Sequence, residues 1–173
     1  KPSPILLYGK QKLEVERYIE KNCKNYLILR ISRAFSTEPF DNTFLTKWLK
    51  SLWLNEDISC AVDQIISPIH VLETAELIAN LLYKEKNGLY HISGAERFSR
   101  LDALKILLSV YQEEGFKYSG KIKKVSLKDF KTKEPRGLNT TLLAQKVLSE
   151  LNIKLKPFKY WCKDAVLKLK HLT

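Results

Sequence analysis

The stretch PILLYGKQKLEVE, residues 4–16, decides the interpretation of this 173-residue sequence. Its apolar spacing predicts a helix from Tyr8 to about Asn22, so that Tyr8 and Lys12 lie four residues apart on one face. A free phenol is a poor proton donor at neutral pH. A lysine ammonium beside it stabilises the phenolate, and such a tyrosine becomes useful as a general acid or base. The pair therefore predicts proton transfer with a bound ligand, although this spacing alone arises often by chance.

Four segments of the sequence resemble one known family, in the family's own order. Residues 4–16, followed by LILRIS at 27–32, look like the catalytic helix and next strand of extended short-chain dehydrogenases. The segment DQIISP at 63–68 resembles the Asp-Gln-x-x-Ser-Pro-Thr loop of dTDP-4-dehydrorhamnose reductases. Two later motifs of the same reductases are similar to GLYHISG at 88–94 and RGLNTTL at 136–142. The sequence departs from the pattern at residues 69–70, where Thr is usual, and at Gly137, where proline is usual.

The resemblance implies an α/β fold, the C-terminal portion of a Rossmann-type reductase that binds NAD(P). Residues 1–36 would be a remnant of the Rossmann domain, with the catalytic helix and the following strand. Residues 37–173 would form a mainly helical substrate-binding lobe, some of whose segments return to the Rossmann sheet. The implied activity is reduction of the 4-keto group of a nucleotide-activated deoxysugar, similar to dTDP-4-dehydrorhamnose, with NADP or NAD as the cofactor.

The resemblance also implies roles for individual residues. Tyr8 would donate the proton, and Lys12 would assist it and bind the nicotinamide ribose, so both would be catalytic and cofactor-binding. Arg136 has the forked guanidinium that can grip a diphosphate with two hydrogen bonds. The predicted contacts to the substrate, a nucleotide-diphosphate sugar, are Asp63, Gln64, Ser67 and Arg136.

A glycine-rich turn for a dinucleotide is absent from the sequence. Such a turn allows backbone N–H groups to approach the pyrophosphate. No two of the six glycines are close enough to form one; they are Gly9, Gly88, Gly94, Gly115, Gly120 and Gly137. We therefore expect the N-terminal nucleotide-binding part to be absent. The chain would then be the latter part of a longer reductase and would be inactive by itself.

The formal net charge is +11, from 30 Lys and Arg against 19 Asp and Glu. Most basic residues are lysines beside acidic residues, which is typical of solvated helix faces and does not favour nucleic-acid binding. A basic field can instead attract a nucleotide-diphosphate sugar. Arg30 alternates with apolar residues and could either anchor a phosphate or form a salt bridge at a strand edge.

The sequence also bears on location and assembly. No run approaches the ~20 apolar residues of a membrane span, so no membrane association is predicted. The three cysteines are far apart and lack metal-ligand spacing, which fits a reducing, cytoplasmic environment and no metal site. If the chain forms a homodimer, the predicted contact is the edge of the strand at 26–32 or the apolar face of the first helix.

Periodicity and turn residues predict the remaining elements. Ser99 and Asp102 have the spacing of a capping box and are expected to start a helix that ends near Gly115. Residues 64–68 are expected to form a loop, because Pro68 restricts the residue before it to extended geometry. Other helices are predicted at 40–54, 71–83, 140–151 and 160–169, and short strands at 57–62, 89–92 and 122–125.

Two other functions stay open. A non-catalytic regulatory protein of the same fold, like the regulatory β subunit of methionine adenosyltransferase, could retain the Tyr8–Lys12 pair. An epimerase or dehydratase of the same extended family is the second, and the motifs at 63–64 and 90–91 argue against it.

Overall fold

The computed structural model describes residues 2–172, over which helices and short strands alternate. In chain order the elements are α1 (Leu7–Asn22), β1 (Leu27–Ile31), β2 (Ala34–Phe35), α2 (Phe44–Trp53), β3 (Ile58–Ala61), β4 (Ile65–Ile66), β5 (Ile69–His70), α3 (Val71–Tyr83), β6 (Gly88–Ile92), β7 (Phe98–Ser99), α4 (Arg100–Glu113), β8 (Ile122–Val125), a 3-10 helix (Leu127–Asp129), α5 (Gln145–Leu151) and α6 (Phe158–Lys170).

The strands pair mainly in parallel. β1 lies beside β6, from Leu27 opposite Gly88 to Ile31 opposite Ile92. β2 pairs with β5 and β3 with β8 in the same sense, whereas β4 and β7 are antiparallel. Parallel strands require crossover connections, which the intervening helices supply here, as in other α/β proteins. The predicted α/β fold is confirmed.

Two apolar cores hold the elements together. The larger lies among α2, β3, α4 and α6, and includes the fully buried Leu52, Leu107 and Val166. The smaller packs α3 and α5 against β6, around Leu77 and Val147. Because β6 pairs with β1, the segment at 88–92 joins the sheet that begins within the first 36 residues.

The helix predicted at 40–54 begins four residues late, so its predicted start is wrong. Phe40 and Asn42 have φ values of 70° and 63°, which a right-handed helix does not allow. Asp41 holds this turn, because Oδ1 accepts hydrogen bonds from the Thr43 N–H (3.0 Å) and from Thr46 Oγ1 (2.7 Å). Local side-chain bonding therefore delays the helix until Phe44.

The helix predicted at 140–151 also starts late, at Gln145, and the preceding residues lie along β4 instead. The Thr140 N–H donates to the Ile65 carbonyl (3.0 Å), and the Ile65 N–H donates to the Leu138 carbonyl (2.7 Å). The predicted loop at 64–68 is therefore partly extended. This pairing brings two of the motifs, 63–68 and 136–142, side by side.

The predicted helix at 71–83 and the capping of the helix after Ser99 are confirmed. Ser99 Oγ accepts a hydrogen bond from the Asp102 N–H at 3.1 Å. Within residues 2–172, no helix combines the length and apolarity that crossing a bilayer requires. The same residues contain no cluster of His, Cys, Asp and Glu arranged to hold a metal ion.

Candidate active site

An open cleft of about 730 Å³ lies between α1, the carboxyl end of β1 and the segment around Thr140. Tyr8, Lys12 and Glu16 lie at intervals of four residues on α1, which places all three on the cleft wall. Other segments, including those with Arg33 and Gln64, supply the rest of the lining. The full lining is Tyr8, Lys12, Glu16, Leu29, Arg30, Ile31, Ser32, Arg33, Gln64, Thr140 and Leu142.

Tyr8 and Lys12 form the accessible part of this wall. Tyr8 is 66% exposed, and Lys12 Nζ lies 5.4 Å from the centroid of its ring. Within the described residues, the Tyr8 hydroxyl makes no hydrogen bond to the protein, so it is free to meet a ligand. A Cβ at position 9 would lie 3.0 Å from Pro4 Cβ. Gly9 thus allows Pro4 to pack against the first turn of α1, which carries Tyr8.

Glu16 and Arg30 fix α1 against β1. The guanidinium forms a fork, with Nε donating to Glu16 Oε1 (3.0 Å) and Nη2 donating to Oε2 (2.5 Å). The hydrogen bond from Arg30 lowers the pKa of Glu16 below its ordinary value, and that from Glu16 raises the pKa of Arg30. Of the two roles considered for Arg30, the structure shows the salt bridge. The pair holds the helix face that carries Lys12 at the cleft.

Gln64 and Ser67 are both buried, and both join the segment at 63–68 to the segment at 136–142. Gln64 Nε2 donates to the Gly137 carbonyl at 3.0 Å, and Gln64 lines the main cleft. Ser67 Oγ accepts from the Leu142 N–H at 3.1 Å. Ser67 faces a separate cavity of about 320 Å³ beside Gly94.

Asp63 is engaged within the protein. Its carboxylate accepts hydrogen bonds from Ser126 Oγ (2.7 Å) and from the Leu127 N–H (2.8 Å), and so holds the start of the 3-10 helix. These two bonds, led by that of Ser126, lower the pKa of Asp63. Asp63 is not part of the main cleft lining, and its predicted substrate contact stays a prediction.

Arg136 lies on an exposed loop and lines another cleft, of about 530 Å³, together with Lys128, Lys131 and Lys133. The structure therefore brings Tyr8, Lys12 and Gln64 to one cleft, whereas Arg136 lines a different one. The predicted diphosphate contact of Arg136 stays a prediction, as does that of Ser67 with the substrate.

Two arginines near the cleft were not among the predicted site residues. Arg33 lies two residues after the end of β1 and lines the main cleft, and Arg100 begins α4 beside Gln64. The signal for Arg33 in the sequence is its place just after a buried parallel strand, where ligands of α/β folds bind. The place of Arg100 depends on the pairing of β4 with β7, which the sequence did not predict.

The parallel strands, the helices that connect them and the cleft at the strand ends define the class, a Rossmann-type α/β protein. More specifically, the chain belongs to the family described as the RmlD substrate binding domain, whose model matches residues 1–171. The predicted family is confirmed.

Two individual proteins are similar to the chain in sequence. The chain is 26% identical over 159 residues to a dTDP-4-dehydrorhamnose reductase from Sinorhizobium fredii, covering 88% of this chain and 53% of the relative. It is 27% identical over 109 residues to methionine adenosyltransferase 2 subunit beta from Danio rerio, covering 58% of this chain and 33% of that protein. The chain thus spans about half or less of the length of these relatives.

A solved structure shows the same fold. It is a dTDP-4-dehydrorhamnose reductase from Bacillus anthracis in complex with NADP, with a TM-score of 0.79 and 22% identity. The match covers 97% of this chain and 57% of that one.

Proposed function

We propose that this chain supplies the catalytic acid and the substrate-binding part of an NAD(P)H-dependent nucleotide-sugar reductase. The substrate would be a nucleotide-linked 4-keto deoxysugar, similar to dTDP-4-dehydrorhamnose. The observation that carries this proposal is the exposed Tyr8–Lys12 pair on the wall of a cleft large enough for a sugar nucleotide. The relationship to the Sinorhizobium fredii reductase supports it.

The residues of the cleft suit the reduction of a carbonyl group. The nicotinamide cofactor, NADP or NAD, would supply the hydride to the carbonyl carbon when it is bound. Tyr8 donates its hydroxyl proton to the carbonyl oxygen. Lys12 stabilises the phenolate that remains, because its ammonium lies close to the ring. Lys12 also has the donors to hold a ribose hydroxyl, as the family resemblance implies.

The Glu16–Arg30 fork has a positioning role in this proposal. It ties the middle of α1 to β1, so that the helix face with Tyr8 and Lys12 keeps its place relative to the strand end. Gln64 plays a similar positioning part in another section of the cleft lining, where its buried amide joins the segments at 63–68 and 136–142.

We also propose how the chain is divided into two structural parts. Residues 1–36, with α1 and β1, form part of the Rossmann domain, and residues 37–173 form the substrate-binding lobe, with β6 returning to the sheet. The larger apolar core, which lies wholly after residue 34, supports an independent lobe. The three unpaired cysteines support a cytoplasmic location.

The test is a reductase assay on the intact protein that contains this chain. We expect NADPH or NADH to be oxidised only when a 4-keto nucleotide sugar is added, with formation of the hydroxyl sugar. Absence of turnover with dTDP- and UDP-linked keto sugars, in a folded protein that binds the cofactor, would refute the reductase proposal.

A regulatory function is the second candidate, favoured by the relationship to methionine adenosyltransferase 2 subunit beta. Under this alternative the protein would bind a partner enzyme, and Tyr8→Phe would leave its function unchanged. A stable complex with a methionine adenosyltransferase, together with no reductase activity, would favour it.

A further inference from the structure

The first turn of α1 carries Tyr8, but its own sequence does little to hold that turn in place. Leu6 occupies the N-cap position without a side-chain hydrogen bond, and the first turn contains no acidic residue. Helix starts are ordinarily stabilised by a capping side chain or a negative charge, because the first N–H groups have no partner within the helix. Within residues 2–172, neither apolar core includes a residue of α1. Core packing therefore does not hold this turn either.

A carboxylate from a distant segment supplies what the start of α1 lacks. The N–H of Leu7, the first residue of the helix, donates to Glu134 Oε1 at 3.3 Å, and the two residues are 127 positions apart in the sequence. Leu7 directly precedes Tyr8. The negative charge of Glu134 thus lies at the positive end of the helix dipole, one residue from the tyrosine.

The segment that carries Glu134 is itself held on both sides. Thr132 Oγ1 donates to the Glu134 carbonyl at 2.7 Å. Three residues further on, the Gly137 carbonyl accepts a hydrogen bond from Gln64 Nε2 at 3.0 Å. Gln64 is buried and lines the same cleft as Tyr8. The segment at 132–137 therefore connects the start of α1 to another part of the cleft lining.

The other tie of α1 lies too far along the helix to fix Tyr8. The Glu16–Arg30 fork holds the middle of α1, about two turns beyond Tyr8. The Tyr8 phenol makes no hydrogen bond to the protein within the described residues, so its position depends on the backbone of the first turn. The contact of Glu134 acts on that backbone directly.

We infer that Glu134 is a positioning residue for Tyr8, an inference that rests on the proposed function. Its carboxylate keeps the first turn of α1 wound and so holds the phenol where it can reach the carbonyl oxygen of the sugar. A general acid acts only within hydrogen-bond reach of the atom that it protonates, and a small displacement lowers the rate strongly. Glu134 needs no contact with the substrate for this role.

Hydrogen exchange in the 173-residue chain tests whether Glu134 holds the turn. The Lys10 N–H closes the first turn by donating to the Leu6 carbonyl at 3.0 Å. Glu134→Ala should speed exchange of this amide roughly 2- to 5-fold at low ionic strength, the usual effect of one charge at a helix N-terminus. The control Glu76→Ala removes an exposed carboxylate from α3 and should leave the rate unchanged. An unchanged rate in Glu134→Ala would overturn the inference.

Steady-state kinetics of the intact protein with a 4-keto nucleotide sugar test the consequence for Tyr8. Glu134→Ala should lower kcat roughly 2- to 5-fold, in line with the loosened turn, and change KM by less than about twofold. Glu134→Gln keeps an acceptor oxygen and should recover part of kcat, whereas Glu76→Ala should be normal. Circular dichroism checks that each variant is folded.

Two kinetic results would contradict the positioning role. A higher KM with unchanged kcat would indicate a lost substrate contact instead. Faster exchange at Lys10 with unchanged kcat would leave Glu134 with a structural role only.

The same measurements separate this inference from the proposed function. If the intact protein reduces no keto sugar, the proposed function fails and the positioning role fails with it, while the exchange rate still shows whether Glu134 holds the turn. If Tyr8→Phe loses turnover but Glu134→Ala keeps normal kcat and normal exchange, the function stands and the positioning role fails.

Discussion

Acidic pH should destabilise this protein through His70, which the fold buries in the neutral state. His70 is 3% exposed, and its ring stacks on Trp161 with centroids 3.7 Å apart. Nδ1 accepts a hydrogen bond from the Leu72 N–H (3.2 Å) and caps α3, while Nε2 lies 3.4 Å from Thr37 Oγ1. Protonation would convert Nδ1 into a donor that faces another donor. It would therefore break the cap and charge a buried ring.

The size of the stability loss at acidic pH follows from the pKa of His70, which burial lowers from 6.5 to about 4. Asp164, Glu38 and Asp41 act in the opposite direction, and Lys168 adds to the lowering. Because the unfolded chain binds the proton below pH 6.5 and the folded chain does not, stability falls as the pH drops from about 6.5 to 4. Between pH 7.5 and 5 the loss should be about 2 kcal/mol, and it approaches about 3 kcal/mol near pH 4.

Urea unfolding at several pH values, analysed as a two-state transition, measures this loss. His70→Asn keeps a good cap residue and removes the titration, so its stability should vary much less between pH 7.5 and 5. Other groups also titrate, including His91, whose pKa burial lowers, and Glu73, whose pKa burial raises. They are common to both proteins and cancel in the difference. The control His171→Asn, at the exposed end of α6, should keep the slope of the unchanged protein.

An equal loss of stability in His70→Asn and in the unchanged protein would refute this reasoning. If His70→Asn lost as much stability between pH 7.5 and 5 as the unchanged protein, His70 could not be the neutral buried group described here.

Two further predictions concern the loops that frame the cleft. Gly94→Ala should lower the free energy of unfolding by about 1–3 kcal/mol, because a Cβ there would lie 2.0 Å from the Pro68 carbonyl oxygen. The control is Gly137→Ala, where the nearest atom to an added Cβ is 3.5 Å away. Equal thermal stability of the two variants would contradict the clash. Asp63→Ala should speed hydrogen exchange at the Leu127 amide, which loses its acceptor; an unchanged exchange rate would show that the carboxylate does not hold this turn.

The sequence predicted those elements whose signals are local. The helix at 71–83 has regular apolar spacing and ends before the Asn87–Gly88 turn, and Ser99 carries its own cap. The start of α2 was missed because Asp41 makes side-chain bonds that hold Phe40 and Asn42 in left-handed geometry, which apolar periodicity does not reveal.

The candidate site was predictable only in part, for a related reason. Tyr8 and Lys12 lie on one helix, so their spacing places them together. Gln64 was indicated by a motif, but its partners Gly137 and Arg100 come from distant segments. Arg100 is placed by the pairing of β4 with β7, and Arg33 and Arg100 both lie over aromatic rings of α2. Local sequence patterns do not predict either of these tertiary contacts.

The most direct test of the central claim is the turnover number of Tyr8→Phe in the intact protein with a 4-keto nucleotide sugar. The control is Tyr18→Phe, which removes a similarly exposed phenol from the same helix, 68% against 66% exposed. If Tyr8 is the general acid, its loss should lower kcat by roughly 10²- to 10⁴-fold while Tyr18→Phe keeps normal activity and sugar binding survives in both. Near-normal turnover by Tyr8→Phe would contradict the account.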